Sequence, residues 1–255
     1  MLKEIIIAIQ SYADAHRFIV KHRLWKWILV TGIIYALLFF ASLYFFWITS
    51  KGVIGYALNA TGVTNWLIQF KESFWGFLIV IITIAVQLIL FLFYFSLFKY
   101  IFLIVASPLF AYLSEKTAAI MEGREYPFSF SQLIKDIARG IKIAVRNCLW
   151  QTVYSLSILI LSFIPVIGLA TIGIAFLVEC YYLGFSMLDY SCERNKLSTN
   201  ESIEFIGKHK GLAVGNGMVF YLMHMVIIVG WIVAPTYAVI AATLSLYKAQ
   251  HHPLP

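Results

Sequence analysis

Charged side chains are scarce in this sequence: 12% of its 255 residues are Asp, Glu, Lys or Arg, against about 25% in an ordinary soluble domain. With 62% of the chain hydrophobic, that scarcity excludes a protein surrounded only by water, and lipid is the matching solvent. Cysteine is sparse too. Cys148, Cys180 and Cys192 form no close pair and no ligand spacing, which excludes a disulfide framework and a thiolate metal knuckle and points to buried free thiols. His16, His22, His209, His224, His251 and His252 make no HExxH or other compact cluster. No catalytic residue, metal or cofactor is therefore expected, and His224 in YLMHMV reads as packed or channel-facing. The net charge is +7, but Lys and Arg never form a dense tract. They sit beside apolar runs, as positive residues retained on the cytoplasmic side of membrane helices do, so no nucleic acid is expected as a partner.

What the chain does have is long uncharged runs: Trp27 to Ser50, Ser73 to Phe98, Asn147 to Val178 and Gly211 to Tyr247. A helix crossing a bilayer needs roughly 20 apolar residues at about 1.5 Å each. The first two runs suit single crossings, within long helices over 24–48 and 73–121. The last two are too long for one unbroken crossing and short for two. The first run outlasts a signal-peptide core and closes on no small-residue cleavage pattern, so it reads as a retained membrane helix.

Ahead of it, Leu2, Ile5, Ile6, Ile9, Tyr12, Ala13 and Ile19 recur at mostly helical steps, with Lys3, Glu4, Gln10, Asp14 and Arg17 turned elsewhere. Residues 1–20 thus read as an amphipathic interfacial helix. Lys21, His22, Arg23 and Lys26 mark the interface, beside Trp25 and Trp27. Residues 49–72, rich in Gly and Asn, suit a loop with a short surface helix, and Asn59-Ala60-Thr61 is a formal glycosylation sequon with no expected use. The second crossing reads as one long helix past Lys99, with Pro108 either a kink or the start of a separate interfacial helix. Residues 1–26 hold five Lys or Arg against two acids, 99–146 seven against four, and 49–72 two against one. That bias puts the N-terminus and the centre of the chain in the cytoplasm, with an excess small enough to leave dual orientation open.

Ser129 and Gln132 resemble a capping box, followed by Leu133, Ile134, Ile137, Ile141, Ala144 and Val145 at helical spacing. Further on, Pro165 and Gly168 interrupt LSFIPVIGLATIG. Proline lacks an N–H and pushes Ile164 from helical geometry, so 131–190 reads as a broken hairpin of two half-depth helices, with one kinked crossing and a cytoplasmic turn as the alternative. The last run divides at VGWIVAP, with Gly230 and Pro235 at the tip of a second broken hairpin over 199–248. A chain turn within hydrocarbon must be covered by protein or a water-filled cavity, and paired broken helices bring helix ends to the membrane interior. Ser198 and Glu201 fit a capping box opening a short amphipathic helix between the hairpins. The expected fold is an all-α integral membrane protein, a single membrane domain over 1–255: two long transmembrane helices plus two half-penetrating helical hairpins and amphipathic interfacial helices.

Three stretches, VASPLFAYLSEKT at 105–117, SFIPVIG at 162–168 and LDYSCERNKLS at 188–198, follow in an order and spacing that resembles the CysZ family of bacterial sulfate-uptake membrane proteins and their wider etoposide-induced-protein relatives. The resemblance covers nearly the whole chain. It implies a passive or proton-sensitive route for sulfate across the bacterial inner membrane, supporting cysteine biosynthesis, in a homo-oligomer with members in both orientations. It also implies an anion site at the start of the first crossing, where the family's glycine, short apolar residue and paired arginines fall opposite Arg23, Leu24, Trp25 and Lys26. Lys26 keeps one charge, Trp25 replaces an arginine, and Arg23 stands where the glycine would be. Arg23 and Lys26, with helix-terminal amides, are the candidate substrate-binding residues, and anchoring by snorkelling side chains is the alternative. Glu115, Glu179 and Asp189 border apolar sequence and are candidate gate or proton-linked carboxylates, with pairing to nearby Lys or Arg as the alternative. The expected function is an inner-membrane permease or channel-like protein for a small inorganic anion, sulfate by resemblance; the alternative is a structural or membrane-shaping protein with no solute path.

Overall fold

The computed structural model describes residues 1–60, 62, 74–124, 130–194, 197–226 and 228–251. The regular structure among them is helical: α1 (Leu2–Lys21), α2 (Trp25–Ala60), α3 (Phe74–Glu122), α4 (Phe130–Ser162), α5 (Ile167–Arg194), α6 (Thr199–Lys208), α7 (Lys210–His224) and α8 (Val229–His251). Among the described residues, five stretches are long and apolar enough to cross a membrane: Trp25–Gly52, Phe74–Glu122, Ile137–Ser162, Ile167–Cys192 and Val229–Gln250. In the most apolar window of α3 only 6% of residues are buried. Hydrocarbon on that scale cannot face water, so the chain is a membrane protein.

Contacts divide the chain into two compact units, residues 37–101 and residues 1–36 with 102–255. In the smaller unit α2 and α3 run antiparallel and interlock through aromatic rings. Phe39 meets Phe98 and Phe46 meets Phe91, with centroids 5.7 and 5.4 Å apart. The Tyr94 hydroxyl donates to the Ser42 carbonyl at 2.8 Å. The expected loop over 49–72 differs in its first part, because α2 continues to Ala60. Gly52 and Gly55 weaken a helix by about 1 kcal/mol each without ending it, and no proline follows. The rest of that loop and the Ser129–Gln132 capping box fall outside the described residues.

Pro108 lies inside the 49-residue α3. A proline strips the carbonyl four residues earlier of its donor, and here the Ser107 hydroxyl donates to that carbonyl, Ile104 O, at 2.8 Å. The repair lets the helix run on.

At the first break α4 ends at Ser162 and α5 begins at Ile167. Val166 takes a left-handed φ of 72°, and the Gly168 amide donates to Ile164 O at 2.8 Å. A Cβ on Gly168 would stand 2.6 Å from Ser162 O, so the return strand of the turn has room only for glycine. The tip is bare hydrocarbon, with Phe163 and Val166 at least 80% exposed. Each arm contains a 26-residue stretch long enough to cross, longer than the thirteen residues from Val166 to Val178 suggest. The reason is that Glu179 and Asp189 find donors on α4, so their charges do not end the apolar helix.

The second turn falls earlier than the sequence suggests. α7 stops at His224 and α8 starts at Val229, with Ile228 at a φ of 68°. Gly230 belongs to this turn: its amide donates to Val226 O at 2.7 Å, and a Cβ there would stand 1.9 Å from Met223 O. Pro235 does not. It lies inside α8, correcting its assignment to the tip. The window around it is 78% buried, and the adjacent Thr236 hydroxyl bonds Thr31 Oγ1 at 3.0 Å, so neighbouring helices hold the segment helical despite the lost N–H.

α7 is the centre of the larger unit because its small residues let other helices approach. Ala213 and Gly217 face Gly184 and Cys180 of the antiparallel α5: a Cβ on Gly184 would lie 1.8 Å from Ala213 O, and one on Gly217 1.7 Å from Cys180 O. Gly211 and Gly215, on another face, receive α1 at Glu4 and Ala8. Small residues four apart are the usual means of close packing where lipid removes the hydrophobic drive. The α1 face so covered carries Glu4, Ala8, Ser11, Tyr12, Ala15 and Ile19. Tyr12 donates its hydroxyl to Asn216 O at 2.8 Å, and burial pushes that hydroxyl well above its usual ionisation range. The opposite stripe of α1, Leu2, Ile6, Ile9 and Val20, is exposed. The helix therefore has two apolar faces.

Candidate anion site

The junction that carries Arg23 and Lys26 is shaped by the way α1 ends. The Leu24 amide donates to Ile19 O at 3.0 Å and the Arg23 amide to Val20 O at 3.4 Å, with Arg23 at a φ of 53°. These are the two bonds of a Schellman close, in which the left-handed position is normally glycine. Leu24 and Ile19, buried to 3% and 0% exposure, supply the apolar contact beneath it. A residue with a Cβ in this conformation costs about 1 kcal/mol, and Arg23 accepts that strain while its side chain is exposed.

Leu24 precedes α2 and has no side-chain acceptor, so the first-turn N–H groups of α2 keep the positive partial charge of a helix start. Lys26 is exposed within that turn. Among the described residues neither Arg23 nor Lys26 pairs with a carboxylate. Burial, and then the Lys21 ammonium, hold His22 below its usual range, leaving the fixed charges of Lys21, Arg23 and Lys26 to set the potential near pH 7. A further cation stands behind them that spacing did not reveal. Lys116 on α3 lies 5.6 Å from the centre of the Trp27 ring and 5.5 Å from that of the Tyr112 ring, and the two ring centroids are 4.6 Å apart. Aromatic faces hold a cation in place without neutralising it.

The three candidate acids separate. Glu115 is half-buried on α3. Glu179, also half-buried, accepts from Gln151 Nε2. Asp189 is closed off: Arg139 Nη2 meets it at 3.0 Å, with side-chain exposures of 13% and 3%. Arg139 also donates to Leu197 O and to Ser202 Oγ, joining α4, α5 and the start of α6. The cavity beside Asp189, bounded by Gly140, Ser186 and Tyr190, measures about 10 Å³. It holds about one water, so sulfate does not reach Asp189 through it. Pro165, Gly168 and Gly230 shape the turns and present no polar side chain.

Histidines and hydroxyls occupy packing positions. His224 shares a hydrogen bond of 2.7 Å with Tyr35 and lies against Phe220 and Trp231. His209 and the Gly211 amide, 2.7 and 3.0 Å away, both meet the Glu4 carboxylate, which thereby caps the start of α7 from another helix. Ser114, Ser191 and Thr243 form a closed triangle with sides of 3.0 to 3.2 Å linking α3, α5 and α8. The Ser198–Glu201 capping box forms as expected, with N···O distances of 2.7 and 3.3 Å.

An all-helical membrane protein with two apolar turns and a basic junction between its first two helices that meets no carboxylate among the described residues is the class so defined. Residues 11–235 match the family model described as sulfate transporter CysZ/etoposide-induced protein 2.4, and the chain belongs to that family. It is similar to a protein of Pseudomonas aeruginosa strain LESB58 named sulfate transporter CysZ, 27% identical over 182 residues, covering 71% of this chain and 70% of the relative. A Pseudomonas paraeruginosa PA7 protein of the same name is 27% identical over 197 residues, 75% and 79% of the two chains. One from Pseudomonas fluorescens SBW25 is 28% identical over 149 residues, 58% of each.

Proposed function

We propose that this protein is a sulfate permease of the bacterial inner membrane, a reading carried by its membership in a family whose matched members are named sulfate transporters. Sulfate is a tetrahedral dianion that does not enter hydrocarbon unaided. In this reading it is first drawn to the α1–α2 turn by the charges of Arg23 and Lys26 and the first-turn amides of α2, with Lys116 adding positive potential. Arg23 supplies a planar donor fork and Lys26 a point charge, so the fork sets orientation and the lysine adds attraction.

α2 and α3 serve as the two full crossings, while the α4–α5 and α7–α8 hairpins enter from one side and end within the bilayer. The apolar tips at Phe163–Val166 and Met225–Ile228 support that placement, since each would be poorly solvated in water. The excess of Lys and Arg in residues 1–26 and 99–146 supports a cytoplasmic N-terminus, with dual orientation left open by its small size. A seam with room for one water beside Asp189 favours a route outside it, along surfaces that subunits of a homo-oligomer share. In this reading Glu115 and Glu179 are the candidate gates, and Asp189 holds the frame.

The test is uptake of radiolabelled sulfate by vesicles containing the purified protein, compared with empty vesicles. Flux above the empty control is expected, reduced at limiting sulfate by Arg23→Gln and by Lys26→Gln separately. A folded oligomer without flux would sink the permease reading and leave a membrane-shaping role.

A further inference from the structure

We infer that a second oxyanion station lies in the α4–α5 seam, built on Arg146; the inference extends the permease reading above by giving the anion a place beyond the α1–α2 turn. Arg146 is the last charged residue of the stretch Ile137–Ser162, immediately before the uncharged run that opens at Asn147. An arginine that merely anchors a helix end reaches outward to the interface. This one turns inward. Its Nη1 donates to Asn147 Oδ1 at 3.0 Å, on a side chain that is wholly buried, and its guanidinium carbon lies 5.5 Å from the centre of the Phe185 ring. Asn147 is itself fixed, because its Nδ2 donates to Ser186 Oγ at 3.3 Å.

The charge of Arg146 has no carboxylate partner among the described residues. Asp189 is near enough to feel both Arg139 and Arg146, but its ion pair at 3.0 Å is with Arg139. Glu179, the other carboxylate of the seam, meets Gln151, so among the described residues the Arg146 guanidinium has no direct carboxylate contact, in a setting where an unpaired charge is costly. An anion would offset it.

The surroundings supply donors of the right kind. Arg146, Trp150 and Tyr154 recur four apart on one face of α4, opposite Tyr181, Tyr182 and Phe185 of α5. Tyr154 and Tyr182 rings are 6.3 Å apart and Tyr181 and Tyr182 rings 5.2 Å. Among the described residues the hydroxyls of Tyr154, Tyr181 and Tyr182 bond nothing, and the Arg146 charge acts on those of Tyr181 and Tyr182. Trp150 and Tyr154 are nearly half exposed, so the face is open. One guanidinium fork with neutral O–H donors around it matches a tetrahedral oxyanion. Inorganic sulfate and a lipid headgroup phosphate share that chemistry, and the station is assigned to inorganic sulfate.

The test pairs two measurements on the full-length protein, melting in phospholipid-free detergent across a sulfate titration and concentration-dependent sulfate uptake by vesicles. Sulfate is expected to raise the melting temperature of the wild type and of Arg23→Gln. Arg146→Gln should lose most of that shift and raise the half-saturating concentration about tenfold, with Arg146→Lys between them because charge survives without the fork. Tyr181→Phe, which removes a donor and no charge, should raise it by a smaller factor and serves if Arg146→Gln does not fold. Folded Arg146→Gln or Tyr181→Phe that saturates and melts as wild type overturns the station, as does a shift produced only by added phosphatidylglycerol. A sulfate-dependent shift that needs Arg146, in a protein without flux, supports the station and refutes the permease. A wild type with neither shift nor flux refutes both.

Discussion

Replacing Arg139 by glutamine should be among the most damaging single changes that leave the membrane surface of this protein untouched. Arg139 is 13% exposed and faces Asp189, 3% exposed, at 3.0 Å, while also holding Leu197 O and Ser202 Oγ. A buried ion pair adds little net stability over apolar residues of the same size, but removing one partner strands the other charge in a low dielectric, at about 3–5 kcal/mol. At 1.4 kcal/mol per decade the unfolding equilibrium should shift by roughly two to three and a half orders of magnitude. Reversible unfolding in mixed micelles, followed by circular dichroism, measures the change. The double variant Arg139→Met with Asp189→Leu removes both charges together and should recover most of the loss. If Arg139→Gln alone costs less than about 1 kcal/mol, the pair is solvated or mobile, and Asp189 returns as a candidate gate. If the double variant is as unstable as the single, the hydrogen bonds to Leu197 and Ser202 matter more than the charge.

Other changes test other parts of the structure. Gly217→Leu puts side-chain atoms where even a Cβ would lie 1.7 Å from Cys180 O, so α5 and α7 must separate; loss of the folded peak in size-exclusion chromatography is expected, with more than about 4 kcal/mol lost. Arg23→Gly relieves the left-handed strain at a φ of 53° and should stabilise the fold by about 1 kcal/mol while lowering sulfate uptake, an opposition of sign that melting and flux read separately. Hydrogen bonds from the side chain and backbone of Ser198 hold the Glu201 carboxyl below its usual range. The folded state therefore binds the proton less readily than the unfolded one, and this contribution to α6 is complete above the ordinary carboxylate range and lost as pH falls through the lowered value. Amide exchange in α6 should accelerate over that acid window in the wild type and show a weaker pH dependence in Ser198→Ala.

Much of the fold was legible because lipid imposes a simple rule on composition. Uncharged runs had to be helices, since only helices and closed barrels satisfy their backbone groups in hydrocarbon, and the run starts at Trp27, Ser73 and Gly211 lie within two residues of real helix starts. Proline was the unreliable guide. Pro165 does stand in a turn, and Pro108 sits inside the one long helix read over 73–121, repaired by the Ser107 hydroxyl, but Pro235, expected at a tip, lies inside α8, where neighbouring helices support it. Glycines 52 and 55 suggested a loop and stayed helical, whereas Gly184 and Gly217, with no pattern to mark them apart from small residues four apart, set the closest contact between α5 and α7.

The site divides in the same way. Composition, run lengths and three short stretches determined by themselves that this is a helical membrane protein of one family with a basic junction near residue 23, because hydropathy and chain order need no partner. What the tertiary structure decided is which charges remain uncompensated. Asp189 and Arg146 are similar in sequence, each a charged residue bordering apolar helix. The fold gives Asp189 to Arg139 and sets Arg146 against Asn147 and the Phe185 ring. Electrostatic compensation is a matter of a few ångströms between helices far apart in the chain, and no spacing along one helix can report it.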